Sequence, residues 1–194
     1  MPECNGCLEK ERMALLQIKA FFVSNGTSDY VLHKLDSWVD DRSANCCGWD
    51  LVKYNPLTGH VSDLSLGKLH NFSADGYLFL NGSLFLPFED LRGLDLSLNW
   101  FHGFVEDEHQ WRALDDILEF RRGLCEMKNL EKLNLSSNGF SGNFSKCLGY
   151  LSNLRVLDLK HKFLNDSIYL QGLCKMKNLE KLDLSHNNFG DNLP

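Results

Sequence analysis

Four stretches of the chain repeat one pattern of apolar and polar positions. They read LRGLDLSLNWFHGFV from Leu91, LEKLNLSSNGFSGNF from Leu130, LRVLDLKHKFLNDSI from Leu154 and LEKLDLSHNNFGDNL from Leu179. Each carries leucine at its first, fourth and sixth positions, and three of the four carry asparagine at the ninth: Asn99, Asn138 and Asn187. The last three copies start 24 and then 25 residues apart. Leucines two apart share one face of a strand, and the Asn and Gly residues that follow them break helices, so an amphipathic helix is excluded. One such turn of chain cannot bury its own leucines. Turns laid side by side, about 4.8 Å apart in a parallel sheet, share a continuous core. Strands are predicted near 61–66, 91–96, 130–135, 154–159 and 179–184, the first from the fainter copy HVSDLSL at His60. The asparagine amide is expected to satisfy backbone groups where the chain turns after each strand. Lys162 replaces it in the third copy, so that rung is expected to be broken.

Two regions depart from the period. From Leu96 to Leu135 is 39 residues, about fifteen too many for a period of roughly 24. The excess, near 105–122, holds Trp111, Leu114, Ile117 and Leu118 at helical spacing. It reads as a short amphipathic helix inserted into the array or as the remnant of a lost repeat. Residues 1–59 are not a repeat, and residues 60–194 are. Within the first region, CLEKERMALLQIKAFF places Met13, Leu16 and Phe22 on one face of a helix, with charges between.

Composition narrows the function. Hydrophobic residues make up 43% and charged residues 24%, a globular balance. A net charge of -6 argues against a nucleic-acid partner and against a basic membrane-surface helix. No apolar run spans a bilayer, so no membrane segment is expected within the chain. Met1 is followed by no basic and apolar leader, which taken alone reads as cytosolic. Cysteines crowding the first quarter and six N-x-S/T sequons read the other way, as a secreted context with the true ends lying elsewhere. Glycosylation is expected at Asn25, Asn71, Asn81, Asn143 and Asn165, on loops or turns. The sixth sequon, Asn134, should face the concave sheet, where a sugar would block a ligand. The cysteine spacings fit no zinc site, and Cys4 and Cys7, though spaced as CxxC, lack the βαβ context of a thioredoxin motif; no metal or cofactor is expected. Without GxSxG, P-loop or HExxH, no enzyme is expected.

The order of Cys7, a helix with ALLQIK, LDSW, CCGW and TGHVSDLSL resembles the amino-terminal cap of plant leucine-rich-repeat receptors. SLFLPFEDLRGLDLS and GLCEMKNLEKLNLSSN are similar, more narrowly, to plant receptor-like proteins. The resemblance covers nearly the whole chain. It implies an α/β repeat: a right-handed leucine-rich-repeat solenoid with a parallel concave sheet and a disulfide-tied helical cap over its first strand. It further implies a ligand-recognition ectodomain at the extracellular face of the plasma membrane, serving defence or developmental signalling. Its ligand would be a protein, peptide or glycan, and its partner a membrane co-receptor kinase. A secreted, apoplastic inhibitor of a cell-wall hydrolase, similar to polygalacturonase inhibitors, is the alternative, and a non-functional truncated fragment a further one. Tyr54 stands where the family has its last cap cysteine. Cys4 and Cys7 are therefore expected to pair with Cys46 and Cys47, in an order left open. Cys125 and Cys147, on the same side of adjacent turns, are expected to form another disulfide.

Binding on such a fold falls to the exposed strand positions of the concave sheet. Here these are Arg92, Asp95, Glu131, Lys132, Arg155, Asp158, Lys160, Glu180, Lys181 and Asp183. Both signs of charge alternate, so they imply no single ligand class. His161 and His186, at one equivalent position of successive copies, are expected to stack as exposed polar residues.

Overall fold

The computed structural model describes residues 8–25, 28–41, 46–70, 78–104, 123–140, 148–161 and 173–188. Helices α1 (Glu9–Asn25) and α2 (Ser28–Lys34) precede strands β1 (Val52–Tyr54), β2 (Val61–Ser65), β3 (Leu78–Leu80), β4 (Gly93–Asp95), β5 (Phe101–Phe104), β6 (Lys132–Asn134), β7 (Val156–Asp158) and β8 (Lys181–Asp183). The main sheet runs β1-β2-β4-β6-β7-β8, and β3 pairs with β5 in a second, two-stranded sheet. From β2 to β8 every pairing is parallel and in one register, so Leu64, Leu94, Leu133, Leu157 and Leu182 form a single column. The first four are almost fully buried, while Leu182, in the last described rung, is 39% exposed. The repeat strands are shorter than the six-residue spans expected, because the chain turns as soon as its leucines are seated.

Each turn is made in the same unfavourable backbone. Lys68, Leu98, Ser137, His161 and His186, two residues after the last leucine of successive rungs, all have φ between 52° and 58°. A left-handed conformation costs a non-glycine residue about 1–2 kcal/mol. What opposes that cost is a ladder of side-chain amides. Asn99 Nδ2 donates to the carbonyls of Leu66 (2.7 Å) and Leu96 (3.0 Å), and its Oδ1 accepts from the N–H groups of Leu69 (2.8 Å) and His70 (2.9 Å). Asn138 repeats this one rung on. It donates to Leu96 (2.9 Å) and Leu135 (3.0 Å) and accepts from Asn99 (3.2 Å) and Phe101 (3.0 Å). Asn187 donates to Leu159 (2.9 Å) and Leu184 (2.8 Å). Lys162 and the insertion near 105–122 lie outside the described residues.

A second, aromatic column runs beside the amides. Phe101 and Phe140, each two residues after a ladder asparagine, lie 6.0 Å apart, and Phe22 of α1 packs 6.1 Å from Phe101. These rings join cap and repeats into one core.

The cap differs from expectation in two ways. Its helix buries Ala14, Leu15, Ile18 and Phe22, not the face with Met13 and Leu16; Met13 is exposed and Leu16 only partly covered. Two charged residues, Glu11 and Arg12, open the buried face and disguise it in the sequence. The free edge of the first repeat strand is closed by a strand rather than by the helix: β1 pairs antiparallel with β2, so the sheet is not wholly parallel. Lys19 Nζ holds the turn after α2 through the carbonyls of Leu35 (2.9 Å) and Trp38 (2.8 Å), and Trp38 stacks on Trp49. Cys46, Cys47 and Cys125 are disulfide-bonded; Cys4, Cys7 and Cys147 lie outside the described residues.

The cap meets the repeats through one buried carboxylate. Glu11, 1% exposed, accepts from the Val61 N–H (2.8 Å) and lies 3.0 Å from His60 Nδ1. The hydrogen bond to Glu11 raises the His60 pKa, with smaller contributions from the charges of Glu11, Asp90 and Glu89. Close by, the Tyr54 hydroxyl is buried without a hydrogen-bond partner among the described residues, and burial followed by the Glu11 charge pushes its pKa up.

Three outcomes follow. Asn138→Ala strands buried backbone groups on two rungs and lowers unfolding free energy by about 3 kcal/mol, with a smaller loss for Asn187→Ala at the half-exposed end; urea unfolding measures both. Tyr54→Phe removes a stranded hydroxyl and raises stability by about 1 kcal/mol in the same assay. Because the folded His60 pKa lies above its unfolded value of about 6.5, its stabilising contribution is complete below that pH and is lost as pH rises through the folded value. Melting temperature measured from pH 5.5 upward falls across that window, and His60→Gln flattens the fall.

Candidate ligand-binding face

The residues preceding each strand form a column across the concave sheet. Successive backbone hydrogen bonds of 2.8 Å run from Arg92 to Ser62, Glu131 to Arg92, Arg155 to Glu131 and Glu180 to Arg155. The repeat thus stacks side chains of alternating charge. Arg92 Nη1 is 3.1 Å from Glu131 Oε1, and Arg155 grips Glu180 Oε1 through Nε (2.9 Å) and Nη2 (2.6 Å). The bond to Glu180, then its charge, raises the Arg155 pKa, and Glu131 adds to it from the other side. The column borders a groove of about 640 Å³.

Three lining residues went unread in the sequence. Asn129, Asn153 and Asn178 each precede the first leucine of a repeat, in KNL, SNL and KNL. Their Nδ2 groups donate to the carbonyls of Glu89 (2.8 Å), Lys128 (2.7 Å) and Ser152 (2.7 Å), each one rung back. This second amide ladder fixes the side chains along the groove. Its signal was an asparagine recurring at a fixed offset, as plain as the ninth-position one.

The other candidates lie further along the strands. Lys132 and Lys181 are exposed, with Val156 between them in register. Asp95, Asp158 and Asp183 each turn Oδ1 back to the N–H two residues on, of Ser97 (2.9 Å), Lys160 (3.0 Å) and Ser185 (2.9 Å). The Ser185 hydroxyl and N–H hold the Asp183 pKa below its ordinary value. These carboxylates end strands as well as facing solvent. His161 and His186 are exposed, and their rings stack 4.3 Å apart at 8°. Among the described residues no cluster of three or more His, Cys, Asp or Glu side chains is placed to hold a metal ion. No described helix is long and apolar enough to cross a membrane. Asn25 and Asn81 are exposed; Asn71, Asn143 and Asn165 lie outside the described residues.

Stacked parallel rungs, a buried asparagine ladder and a capped first strand define a leucine-rich-repeat protein. The chain matches the Leucine rich repeat family over residues 128–189 and the Leucine rich repeat N-terminal domain over residues 8–53. Its homologues are receptor-like proteins: it is 34% identical to "Receptor like protein 21" of Arabidopsis thaliana over 210 aligned residues, covering 87% of this chain and 21% of that protein. The chain thus spans about a fifth of that relative's length. Among solved structures, a plant ice-binding protein superposes with a TM-score of 0.61 at 26% identity, over 94% of this chain and 50% of that one. The Arabidopsis receptor kinase HAESA, in complex with the peptide hormone IDA and the co-receptor SERK1, superposes with a TM-score of 0.56 at 18% identity, over 94% of this chain and 30% of that one.

Proposed function

We propose that this chain is part of the ectodomain of a receptor-like protein and that its concave groove contributes to recognition of an extended extracellular peptide. The observation that carries this reading is the Arg92–Glu131–Arg155–Glu180 column along the groove. Arg92, Arg155 and Glu180 are exposed and Glu131 partly so; the charges stand one rung apart and are of both signs, a pattern suited to a ligand bearing charged side chains at regular intervals rather than to a polyanion. Among the described residues no lining side chain is aromatic, which leaves a sugar ring no face to stack on there. The homology to receptor-like proteins supports a place outside the plasma membrane, and the fold shared with a receptor bound to peptide hormone and co-receptor supports a partner kinase. Residues 1–59 serve as the cap, ending in the strand that closes the sheet, and 60–194 as the recognition array.

Selection of a displayed peptide library on the chain tests this reading. Enriched peptides are expected to lose at least tenfold in affinity on Arg155→Glu or Glu180→Arg, both lining the groove, and to keep it on Lys34→Glu in the cap, with affinities read by titration calorimetry (a tenfold loss is about 1.4 kcal/mol). Binders indifferent to both concave reversals contradict it.

A further inference from the structure

Asn134 occupies a column in which its neighbours are all aspartates. In register, Asp95, Asn134, Asp158 and Asp183 succeed one another across β4, β6, β7 and β8. Each performs the same task, accepting with Oδ1 the N–H two residues on; for Asn134 that donor is Ser136, at 3.0 Å. A carboxylate suffices for this turn in three rungs. Only the rung at Asn134 carries an amide, and there the fold makes no use of the amide nitrogen: Asn134 Nδ2 has no hydrogen-bond partner among the described residues. The side chain is partly exposed on the concave face. The residues Asn134, Leu135 and Ser136 spell an N-x-S sequon.

The exposed sequon at Asn81 has the same local geometry. Asn81 Oδ1 accepts from the Ser83 N–H (2.9 Å) and hydroxyl (2.6 Å), as Asn134 Oδ1 does from the Ser136 N–H (3.0 Å) and hydroxyl (2.8 Å). In both, the oxygen is committed to the turn, and the nitrogen has no hydrogen-bond partner among the described residues. A substituent on nitrogen therefore leaves the turn intact.

We infer that Asn134 is an N-glycosylation site and that its sugar divides the concave face. In the transfer, Nδ2 gives up one proton to a base and bonds to C1 of an oligosaccharide. The C1–O bond to a lipid diphosphate donor breaks, and the diphosphate leaves with the electron pair. Asn134 lies three residues beyond Glu131, about 10 Å along the strand at roughly 3.3 Å per residue, and it does not line the groove. A glycan there covers the downstream half of the face, around Asp95, Asp158 and Lys160, and leaves the Arg and Glu column open. The consequence for ligand placement rests on the peptide reading above; the modification itself does not.

The test is secretion of the chain from a plant cell host, followed by enzymatic deglycosylation in heavy-oxygen water and mass spectrometry. Fragment ions must separate Asn134 from Asn138 and Asn143, which share its tryptic peptide. Conversion of Asn134 to labelled aspartate is expected. Asn134→Asp, which reproduces the neighbouring rungs and so preserves the fold, is expected to lower the secreted mass by one oligosaccharide. An unconverted Asn134 in the secreted protein overturns the inference, whatever Asn81 shows, as does an Asn134→Asp protein that keeps the full glycan mass. Neither readout needs a ligand, so this inference and the peptide reading fail separately.

Discussion

The fold depends on satisfying backbone groups at turns that are themselves buried. A parallel stack brings the end of every strand against the end of the next, where water has no access and the strand ladder has stopped. Asn99 and Asn138 are 0% and 2% exposed, and each supplies two donors and a two-fold acceptor to backbone on its own rung and its neighbour. An apolar residue there would strand several polar groups at about 1–3 kcal/mol each. An aspartate would offer no donor to the carbonyls. That requirement also fits the left-handed turns at Lys68 and Leu98: the N–H groups that follow them, of Leu69 and His70 and of Asn99 and Phe101, donate to the asparagine amide oxygen of the following rung.

From this constraint the binding face follows. Fixed turns hold all strands in one register, so equivalent residues line up from rung to rung and charges stack into columns. The cap sets the starting phase: Glu11 ties α1 to the first repeat strand, β1 closes its edge, and Phe22 meets the first ring of the phenylalanine column. Gly93 shows how tight the first rungs are, since the Asp63 side chain lies where a Cβ would stand. Side chains the core does not need, Arg92, Glu131, Lys132, Arg155, Glu180 and Lys181 among them, are thereby left on the outer side of the strands.

Leucine spacing made the column of rungs legible, and the ninth-position asparagine made the ladder so, because both are forced by geometry repeated every turn. The helix face was misread because Glu11 and Arg12 are buried by partners far along the chain, His60, Val61 and Asp40, which local periodicity does not see. The strand β1 escaped because it pairs in the opposite sense and belongs to no repeat. The groove asparagines Asn129, Asn153 and Asn178 were visible but outranked by the leucines beside them. Among the candidate binding residues, the charges lie outside the core, as their positions between the leucines implied. The sequence did not reveal that the aspartates are half engaged in ending strands, a distinction made only by side-chain direction.

Amide hydrogen exchange at Leu69, His70 and Asn99 tests the ladder most directly. None of these residues lies in a strand, and among the described residues each N–H is bonded only to an asparagine side-chain oxygen. If buried amides hold the rungs together, these three exchange as slowly as Leu64 in the middle of β2. Exchange at the rate of an open loop, with Leu64 still protected, contradicts the account.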